Sequence, residues 1–464
     1  MSRVRVQPPR GGSLRPGVAG VIRLLAFLGL VPAGGARADA PSPLSGHVHS
    51  AAGLAEIREV EAGWEDGVLR LTTPSARLFA RATMPAPPGG WDLSRRATVA
   101  ARITNVGIHP AGVMFWVVGG RGWEAVVDQR VLEPGETRIF SCDLRARFPD
   151  GTPKLDPGHV ASVLLMLGQP TARPEPSSAV ARSISPRITR PIAVSVQSLE
   201  AHGTAPAWRR PPGRLDVPEV EEAPPAPGKR VRYRLVGDAG AGAYGILHLP
   251  EDWRPGGRYP VICEYPGNLF YGPQCFSSGL PDQCVIGYGI TRGRGAICVG
   301  LPFVDNVGSV AEHGWGDPDA TADYAVRAVR HICDAFGGDP TNVVLTGFSR
   351  GAIACGFIGL RNDTIAAIWK GFHACQHYDG DGWNGATMPE AITRAKRFRG
   401  VAVFQTDNPR GRFAPVLDAM RAEITWADSG LGFHSTAMFL DDRPSTAALR
   451  QWFWRLVTTA EADR

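Results

Sequence analysis

Short runs of alternating apolar and polar residues fill the first half of the chain. Between about residues 46 and 203, runs such as GVLRLTT, GVMFWVV and IAVSVQSLE alternate with a period of two and are separated by turn residues. None of them has the length and the 3.6-residue period of a helix. The pattern therefore predicts an all-β sandwich for residues 39–205.

The pattern changes after a segment rich in proline and charge, residues 206–228, which is predicted to be a linker that buries too little surface to fold. From residue 229 to 464, strand patterns alternate with helical patterns, which is typical of a mainly parallel sheet with helices on both faces. VRYRLV and AYGILHL predict a hairpin, and YPVICEY, GAICVGLPF and NVVLT predict buried strands. A helix is predicted to begin after Asp317 and to end at Gly337.

A serine lies between two glycines directly after the predicted strand NVVLT. The pentapeptide Gly347-Phe348-Ser349-Arg350-Gly351 is weak as a pattern alone, because the chain has 56 glycines. Its position between a strand and a helix makes it specific, since glycines on both sides allow a tight turn that exposes the hydroxyl. Ser349 is the candidate nucleophile, and a helix N-cap serine is the alternative interpretation.

A serine hydroxyl needs a base, and the base needs an acid that fixes its tautomer. Enzymes with this nucleophile turn place Ser, Asp or Glu, and His in that order along the chain. His434 is the only histidine beyond His377, so it is the candidate base. Asp407 follows the predicted strand GVAVFQ and is the candidate acid, with Asp428 as the substitute.

Negative charge on a tetrahedral intermediate requires preorganised N–H donors. The backbone N–H of Arg350 is one candidate because this residue follows the nucleophile. The loop EYPGNLFYG after an earlier strand should supply the second donor. Pro266 has no N–H, so Gly267 or Asn268 is the candidate, and an ordinary Pro-Gly turn is the alternative.

The formal charge of +6 comes from the N-terminus. Residues 1–38 contain six arginines and no acidic residue, and without them the chain has 44 basic and 44 acidic residues. Equal numbers of basic and acidic residues give no reason to expect a nucleic-acid partner. A basic stretch, the apolar run LLAFLGLV and an A-x-A site at Ala36 and Ala38 predict a cleavable signal peptide at residues 1–38. The protein is therefore expected to be secreted or periplasmic, without a stable membrane anchor.

Eight cysteines fit an exported protein without requiring a disulfide framework. Cys275 and Cys284 flank the polar loop FSSGLPDQ, where either a disulfide or two separately buried thiols is expected. Cys333 with Cys355 is a further possible pair. Cys142 is expected to be buried and unpaired.

Residues 229–464 resemble α/β-hydrolases of the secreted esterase and prolyl-oligopeptidase-like type, in which GGDP, a short strand and G-x-S-x-G follow one another. The resemblance implies an eight-stranded sheet and the triad Ser349, Asp407 and His434. The usual histidine-glycine oxyanion motif is replaced by Tyr265-Pro266-Gly267-Asn268. Residues 46–203 are similar to galactose-binding-like jelly rolls found beside carbohydrate-active enzymes, through WDLSRRATVAARITN and LEPGETRIFSCDL.

The segment FHACQHYDGDGW follows a predicted strand and is expected at the rim of the same pocket. His377, Asp379 and Trp383 are candidate contacts for a polar or sugar-like substrate, and a solvated loop is the alternative. Trp383 and Asn384 at the fifth and sixth positions argue against a calcium loop, and zinc would need ligands that the spacing lacks. No metal and no cofactor are expected.

These residues favour a secreted serine hydrolase that cleaves a carbohydrate- or polymer-linked carboxylic ester through an acyl-enzyme. A small-molecule or glycan ester would be the substrate, and the N-terminal domain would bind polysaccharide. A serine peptidase of prolyl-oligopeptidase type is the first alternative, although the N-terminal half shows no propeller repeat. A non-catalytic glycan-binding protein with a degenerate hydrolase domain is the second.

Overall fold

The computed structural model describes residues 44, 53–54, 56–76, 78, 80–171, 183–235, 242–272 and 275–458. The predicted signal peptide, residues 1–38, lies outside the described residues. None of the described helices combines the length and the apolarity that a bilayer crossing requires.

Eleven strands make up the N-terminal region as far as residue 204. They are, in chain order, β1 (Glu56–Arg58), β2 (Glu61–Glu65), β3 (Val68–Thr73), β4 (Ala80–Pro85), β5 (Arg96–Asn105), β6 (Ala111–Val118), β7 (Ala125–Leu132), β8 (Thr137–Asp143), β9 (Ser162–Thr171), β10 (Ser183–Ser185) and β11 (Ile192–Thr204). The described residues of this region form no α-helix, as the alternating pattern predicted.

Two antiparallel sheets share one core in this two-sheet region. One sheet has the order β1-β4-β9-β6-β7 with β10 beside β9, and the other has the order β2-β3-β11-β5-β8. Buried side chains of both sheets, among them Phe115, Leu165, Ile103 and Val194, belong to one apolar cluster. The galactose-binding-like character of this region stays a prediction.

Eleven further strands belong to the C-terminal region. They are β12 (Val220–Glu221), β13 (Arg230–Tyr233), β14 (Gly245–His248), β15 (Tyr259–Tyr265), β16 (Phe270–Gly272), β17 (Cys275–Ser277), β18 (Ile297–Gly300), β19 (Gly338–Phe348), β20 (Gly371–Cys375), β21 (Ala402–Thr406) and β22 (Glu423–Ala427). Strands β16 and β17 form a separate small hairpin, and the other nine form one sheet.

The sheet has nine strands rather than the expected eight and is mixed, although most of its neighbouring strands run parallel, as expected. Its order is β12-β13-β14-β18-β15-β19-β20-β21-β22. The six strands from β18 to β22 in this order run parallel, whereas β14 is antiparallel to both of its neighbours. The ninth strand, β12, comes from the predicted linker and pairs in parallel with β13. The predicted pair VRYRLV and AYGILHL is confirmed as the antiparallel neighbours β13 and β14.

Helices cover both faces of this sheet. They are α1 (Ile286–Thr291), α2 (Pro318–Phe336), α3 (Arg350–Phe357), α4 (Asp363–Ala366), α5 (Met388–Ala395), α6 (Arg410–Met420) and α7 (Pro444–Thr458), with 3-10 turns at Pro281–Gln283, Trp383–Gly385 and Ala437–Leu440. Consecutive residues of β19 alternate between the faces, since Val343 and Leu345 pack with α2 and α3 whereas Val344 packs with α1 and α7.

The helix predicted after Asp317 is confirmed as α2. The Asp317 side chain accepts hydrogen bonds from the backbone N–H groups of Asp319 and Ala320, as an N-cap does. Gly337 ends the helix at a φ of 75°. This helix supports β19, and thereby the position of Ser349 at the end of that strand.

The predicted linker is packed rather than loose. Val217 is fully buried, the Trp208 N–H donates to the carbonyl of Ser94, and the Leu215 N–H donates to that of Leu440. Arg214 donates from Nη2 to Glu124 Oε1 at 2.8 Å, and both side chains are about 5% exposed. The segment therefore ties the two-sheet region to the nine-stranded sheet, which local composition could not reveal.

Of the two alternatives for Cys275 and Cys284, the structure shows separate free thiols and not the disulfide. Cys284 Sγ contacts the carbonyl of Glu264 at 3.4 Å, and burial raises the pKa of both thiols. Each sulfur is thus enclosed separately, Cys275 against an apolar cluster and Cys284 beside the Glu264 carbonyl. Cys333, Cys355 and the buried Cys142 are also free.

Replacing Arg214 by alanine is expected to destabilise the protein strongly, because Glu124 would stay buried without its cation. The loss should be about 3–5 kcal/mol in the free energy of unfolding. Urea denaturation measures it. The double variant Arg214→Met, Glu124→Leu is the matched control and should recover most of the loss. A single variant as stable as the wild type would contradict the anchoring role.

Candidate functional site

Ser349 lies on a strained turn between β19 and α3. Its φ of 56° and ψ of −120° fall in a region that residues other than glycine rarely occupy. Its backbone N–H donates to the carbonyl of Cys375 on the neighbouring strand β20. The turn holds the hydroxyl at the carboxyl edge of the sheet, where open α/β sheets bind ligands.

The two glycines around Ser349 are required by close backbone contacts. A Cβ on Gly347 would lie 2.2 Å from the carbonyl carbon of Gly351. A Cβ on Gly351 would lie 2.0 Å from the carbonyl oxygen of Tyr265. The strand, the turn and the helix can approach this closely only because both positions lack a side chain.

The structure brings His434 to Ser349. Nε2 of His434 lies 2.9 Å from Oγ of Ser349, which is hydrogen-bond distance for a proton transfer. The imidazole packs against Phe348 at 4.5 Å between ring centroids. Burial, together with the nearby charge of His377, lowers the pKa of His434 to about 4. The ring is therefore neutral at neutral pH and can accept the serine proton.

Asp407 does not contact His434, contrary to the expected triad. Nδ1 of His434 lies 2.6 Å from Oε1 of Gln376, so the amide oxygen accepts the Nδ1 proton. The Gln376 amide nitrogen donates to the carbonyl of Phe433 at 2.9 Å and lies 3.4 Å from Oδ2 of Asp407. Asp407 accepts two hydrogen bonds of 2.6 Å from Ser429. Gln376 thus separates the carboxylate from the imidazole.

Asp428 does not replace Asp407 beside His434, because its carboxylate accepts from the N–H of Gly430 in a local turn. A search for acidic residues could not find Gln376. What could have indicated Gln376 is its position in the sequence. It directly follows β20, as Ser349 follows β19 and Asp407 follows β21. All three residues have a positive φ, of 56°, 64° and 55° in chain order.

The candidate oxyanion donors lie around the same turn. The N–H of Arg350 opens α3, where a backbone N–H has no partner within the helix. Asn268 and Ser349 line the same cavity, and the Asn268 side chain accepts from the N–H of Gly314 at 2.9 Å. The second donor, Gly267 or Asn268, stays a prediction.

The side chain of Arg350 holds the loops around the turn together. Its guanidinium is buried and donates to the carbonyls of Gly267, Gly279, Gly314 and Ala311, at 2.8 to 3.1 Å. It also lies 3.9 Å from the ring centroid of Phe303. Burial lowers the pKa of this guanidinium to about 9. The candidate oxyanion loop is thereby fixed to the residue after the nucleophile.

Trp123, in the loop between β6 and β7, extends from the two-sheet region into the site. Its ring lies edge-on to Phe348 at 4.7 Å and to His434 at 5.3 Å. It also covers Gly267, where an added Cβ would lie 2.3 Å from Cζ2 of the indole. The N-terminal region therefore packs against the base and the candidate oxyanion loop, which no local signal in the sequence indicated.

A cavity of about 220 Å³ opens beside Ser349. His377 and Trp383 line it, as expected, and so does Asp381. Asp379 does not, because its buried carboxylate forms two hydrogen bonds of 2.8 Å with Arg394. Among the described residues, no group of three or more His, Cys, Asp or Glu side chains is placed to bind a metal ion.

The acid limb of the pH–rate profile is expected at a lower pH than an ordinary histidine would give. Only neutral His434 can accept the serine proton, so activity should fall only as the pH approaches the lowered pKa of about 4 rather than the ordinary 6.5. The measurement is kcat/KM for a p-nitrophenyl ester as a function of pH.

Gln376→Glu is the matched variant for this profile. A carboxylate on Nδ1 stabilises the imidazolium, so the acid limb should move to higher pH. An acid limb that is the same in both enzymes would contradict the contact between Gln376 and His434.

Gly267→Ala is expected to lower kcat/KM for a p-nitrophenyl ester by about tenfold or more, because the methyl group would displace Trp123 and shift the site. Adding Trp123→Phe removes the six-membered indole ring that the methyl group meets. The double variant should recover most of the activity. Failure of this rescue would show that the two side chains do not compete for space.

No protein-family model matches the chain, and no curated protein matches its sequence. Among solved structures, an esterase from the Planctomycetes species Thermogutta terrifontis is 19% identical, over 54% of this chain and 96% of that one, with a TM-score of 0.34. An acetyl ester-xyloside bifunctional hydrolase from Caldicellulosiruptor lactoaceticus is 14% identical, over 50% and 98%, with a TM-score of 0.35. A putative dipeptidyl aminopeptidase IV from Bacteroides ovatus is 13% identical, over 50% and 35%, with a TM-score of 0.33. These similarities are distant, so the function is inferred from the site itself.

Proposed function

We propose that the protein is a serine hydrolase that cleaves a carboxylic ester through an acyl-enzyme intermediate. The observation that carries the proposal is the hydrogen bond of 2.9 Å between Nε2 of His434 and Oγ of Ser349, on a strained turn at the sheet edge. A hydroxyl paired in this way with a neutral imidazole is an activated nucleophile. A helix N-cap role is disfavoured, because the Ser349 side chain caps no N–H of α3.

In the first half-reaction, Ser349 Oγ attacks the ester carbonyl and its proton passes to Nε2 of His434. Gln376 accepts a hydrogen bond from Nδ1 and so keeps Nε2 as the proton acceptor. The Arg350 N–H, with Gly267 or Asn268, stabilises the negative charge on the tetrahedral intermediate. The alcohol leaves, and water then releases the acid in the second half-reaction.

The cavity favours a small acyl group on a polar alcohol. Its volume of about 220 Å³ is below the range of about 300–1,000 Å³ in which drug-sized ligands bind. Trp383 offers an aromatic face, and Asn268, His377 and Asp381 offer polar groups. An ester on a carbohydrate or another hydroxylated polymer suits this lining. Polysaccharide binding by the two-sheet region and export through residues 1–38 belong to the same proposal.

A fluorophosphonate probe tests the nucleophile. The wild type should be labelled, and Ser349→Ala should not be. Ser445→Ala, at a buried serine in α7, is the matched control and should be labelled like the wild type. His434→Ala should lose about 10³-fold or more in labelling rate and in ester turnover. Equal labelling of wild type and Ser349→Ala would refute the proposal.

The substrate class is tested by comparing acetylated oligosaccharides with aminoacyl p-nitroanilides. An esterase should release acetate from the oligosaccharides in a manner that depends on Ser349, and should leave the anilides intact. Cleavage of the anilides alone would instead assign a peptidase. If the wild type cleaves both kinds of substrate and Ser349→Ala cleaves neither, one shared site hydrolyses both.

A further inference from the structure

A second imidazole, paired with a carboxylate, lies in the cavity beside Ser349. Nδ1 of His377 is 2.6 Å from Oδ2 of Asp381. Since a carboxylate only accepts, Nδ1 carries the proton and Nε2 is available for chemistry. Within the described part of the chain, Nε2 of His377 has no hydrogen-bond partner.

Asp381 is a firmly held partner for this ring. Its side chain is 4% exposed, and its other oxygen accepts from the N–H of Trp383 at 2.8 Å. Burial alone would raise its pKa, but the hydrogen bonds from His377 and Trp383 and the charges of His377 and Arg412 lower it. The carboxylate is therefore ionised. The backbone is fixed as well, because Asn408 donates from Nδ2 to the carbonyl of His377 at 3.1 Å.

The two imidazoles of the site thus have different partners. His434, on the nucleophile, has the neutral amide of Gln376 at Nδ1, whereas His377 has a carboxylate. A carboxylate stabilises an imidazolium, and an amide oxygen offers only a hydrogen bond. His377, unlike His434, therefore has a partner that stabilises the protonated form of its ring.

Two positive charges in this space would repel each other. The ring centroids of His377 and His434 are 5.7 Å apart, nearly perpendicular at 88°. Charge on His377 already contributes, after burial, to the lowered pKa of His434. If both rings were protonated the site would be unfavourable, so transfer of the Ser349 proton to His434 favours release of a proton from a protonated His377. One charge shared between the rings is the stable arrangement.

We propose that His377, held by Asp381, is a second proton-transfer residue that protonates the leaving alcohol. This inference rests on the proposed ester hydrolysis. In the acylation step Oγ of Ser349 bonds to the carbonyl carbon, and the serine proton moves to His434. The bond between that carbon and the alcohol oxygen breaks, and the oxygen takes the Nε2 proton of the His377 imidazolium, whose Nδ1 proton stays hydrogen-bonded to Asp381. The two rings together keep a single positive charge.

Deacylation reverses the roles. Water attacks the acyl carbon and gives a proton to Nε2 of His377, which becomes positive again. The bond to Ser349 Oγ breaks, and His434 returns its proton to that oxygen. The sum is ester and water to acid and alcohol, with both rings restored. Such a site is built for esters of poor leaving groups, such as sugar and alkyl alcohols, whose alkoxides must be protonated as they depart.

The test compares two acetate esters with opposite leaving groups, p-nitrophenyl acetate and ethyl acetate. Nitrophenolate leaves without a proton, so His377→Gln should lower kcat/KM about 10²-fold more for ethyl acetate than for p-nitrophenyl acetate. Asp381→Asn keeps the imidazole and should shift the ratio in the same direction by about tenfold. His202→Gln, at an exposed histidine of β11, is the matched control and should leave both rates unchanged.

All rates are normalised to sites titrated with fluorophosphonate, so that loss of folded enzyme does not alter the comparison. Equal losses on the two esters, or no loss on either, would overturn the role of His377. Failure of the underlying function gives a different result, because Ser349→Ala would then retain the turnover of both esters.

Discussion

The close approach of three backbone segments at Ser349 is the constraint on which the rest of the site depends. The end of β19, the start of α3 and the end of β15 approach so closely that neither Gly347 nor Gly351 can carry a Cβ. Within this crossing, the Ser349 backbone adopts an unfavourable conformation that surrounding contacts must hold. The buried guanidinium of Arg350 supplies part of that support, because it binds carbonyls of several loops at once.

The order of the strands at the sheet edge also explains why the base contacts an amide and not a carboxylate. Ser349, Gln376 and Asp407 end three adjacent parallel strands, so their side chains lie side by side. The Gln376 amide lies between the Asp407 carboxylate and His434. Asp407 accepts its hydrogen bonds from Ser429 instead. The carboxylate that does contact an imidazole belongs to Asp381. One histidine of the site is thus oriented by an amide and the other by a carboxylate.

The two-sheet region contacts the loop that carries the base. Trp123 contacts His434, and Lys154 lies 5.6 Å from the ring centroid of Phe433, the residue before it. Arg443 joins the regions through an ion pair of 3.2 Å with Asp150. The loop that carries the base is therefore held from the N-terminal side. Substitutions in the two-sheet region should be read as changes in the active site as well as in a neighbouring fold.

The sequence predicted what depends on local rules. Strand periodicity located β19 and β21, the Asp317 cap located α2, and the glycines around Ser349 located the turn. Chain order then selected His434, which the structure places at Ser349. What could not be predicted depends on contacts across the chain: Gln376 in place of the acid, the burial of Asp379 by Arg394, and the intrusion of Trp123.

The most direct measurement is a crystal structure of the protein after reaction with a phosphonate ester, which imitates the tetrahedral intermediate. The account predicts a covalent bond from Ser349 Oγ to phosphorus and a phosphonyl oxygen within hydrogen-bond distance of the Arg350 N–H. His434 should keep Nδ1 on Gln376. A phosphonate bound to another residue, or an unmodified Ser349 turned away from His434, would contradict it.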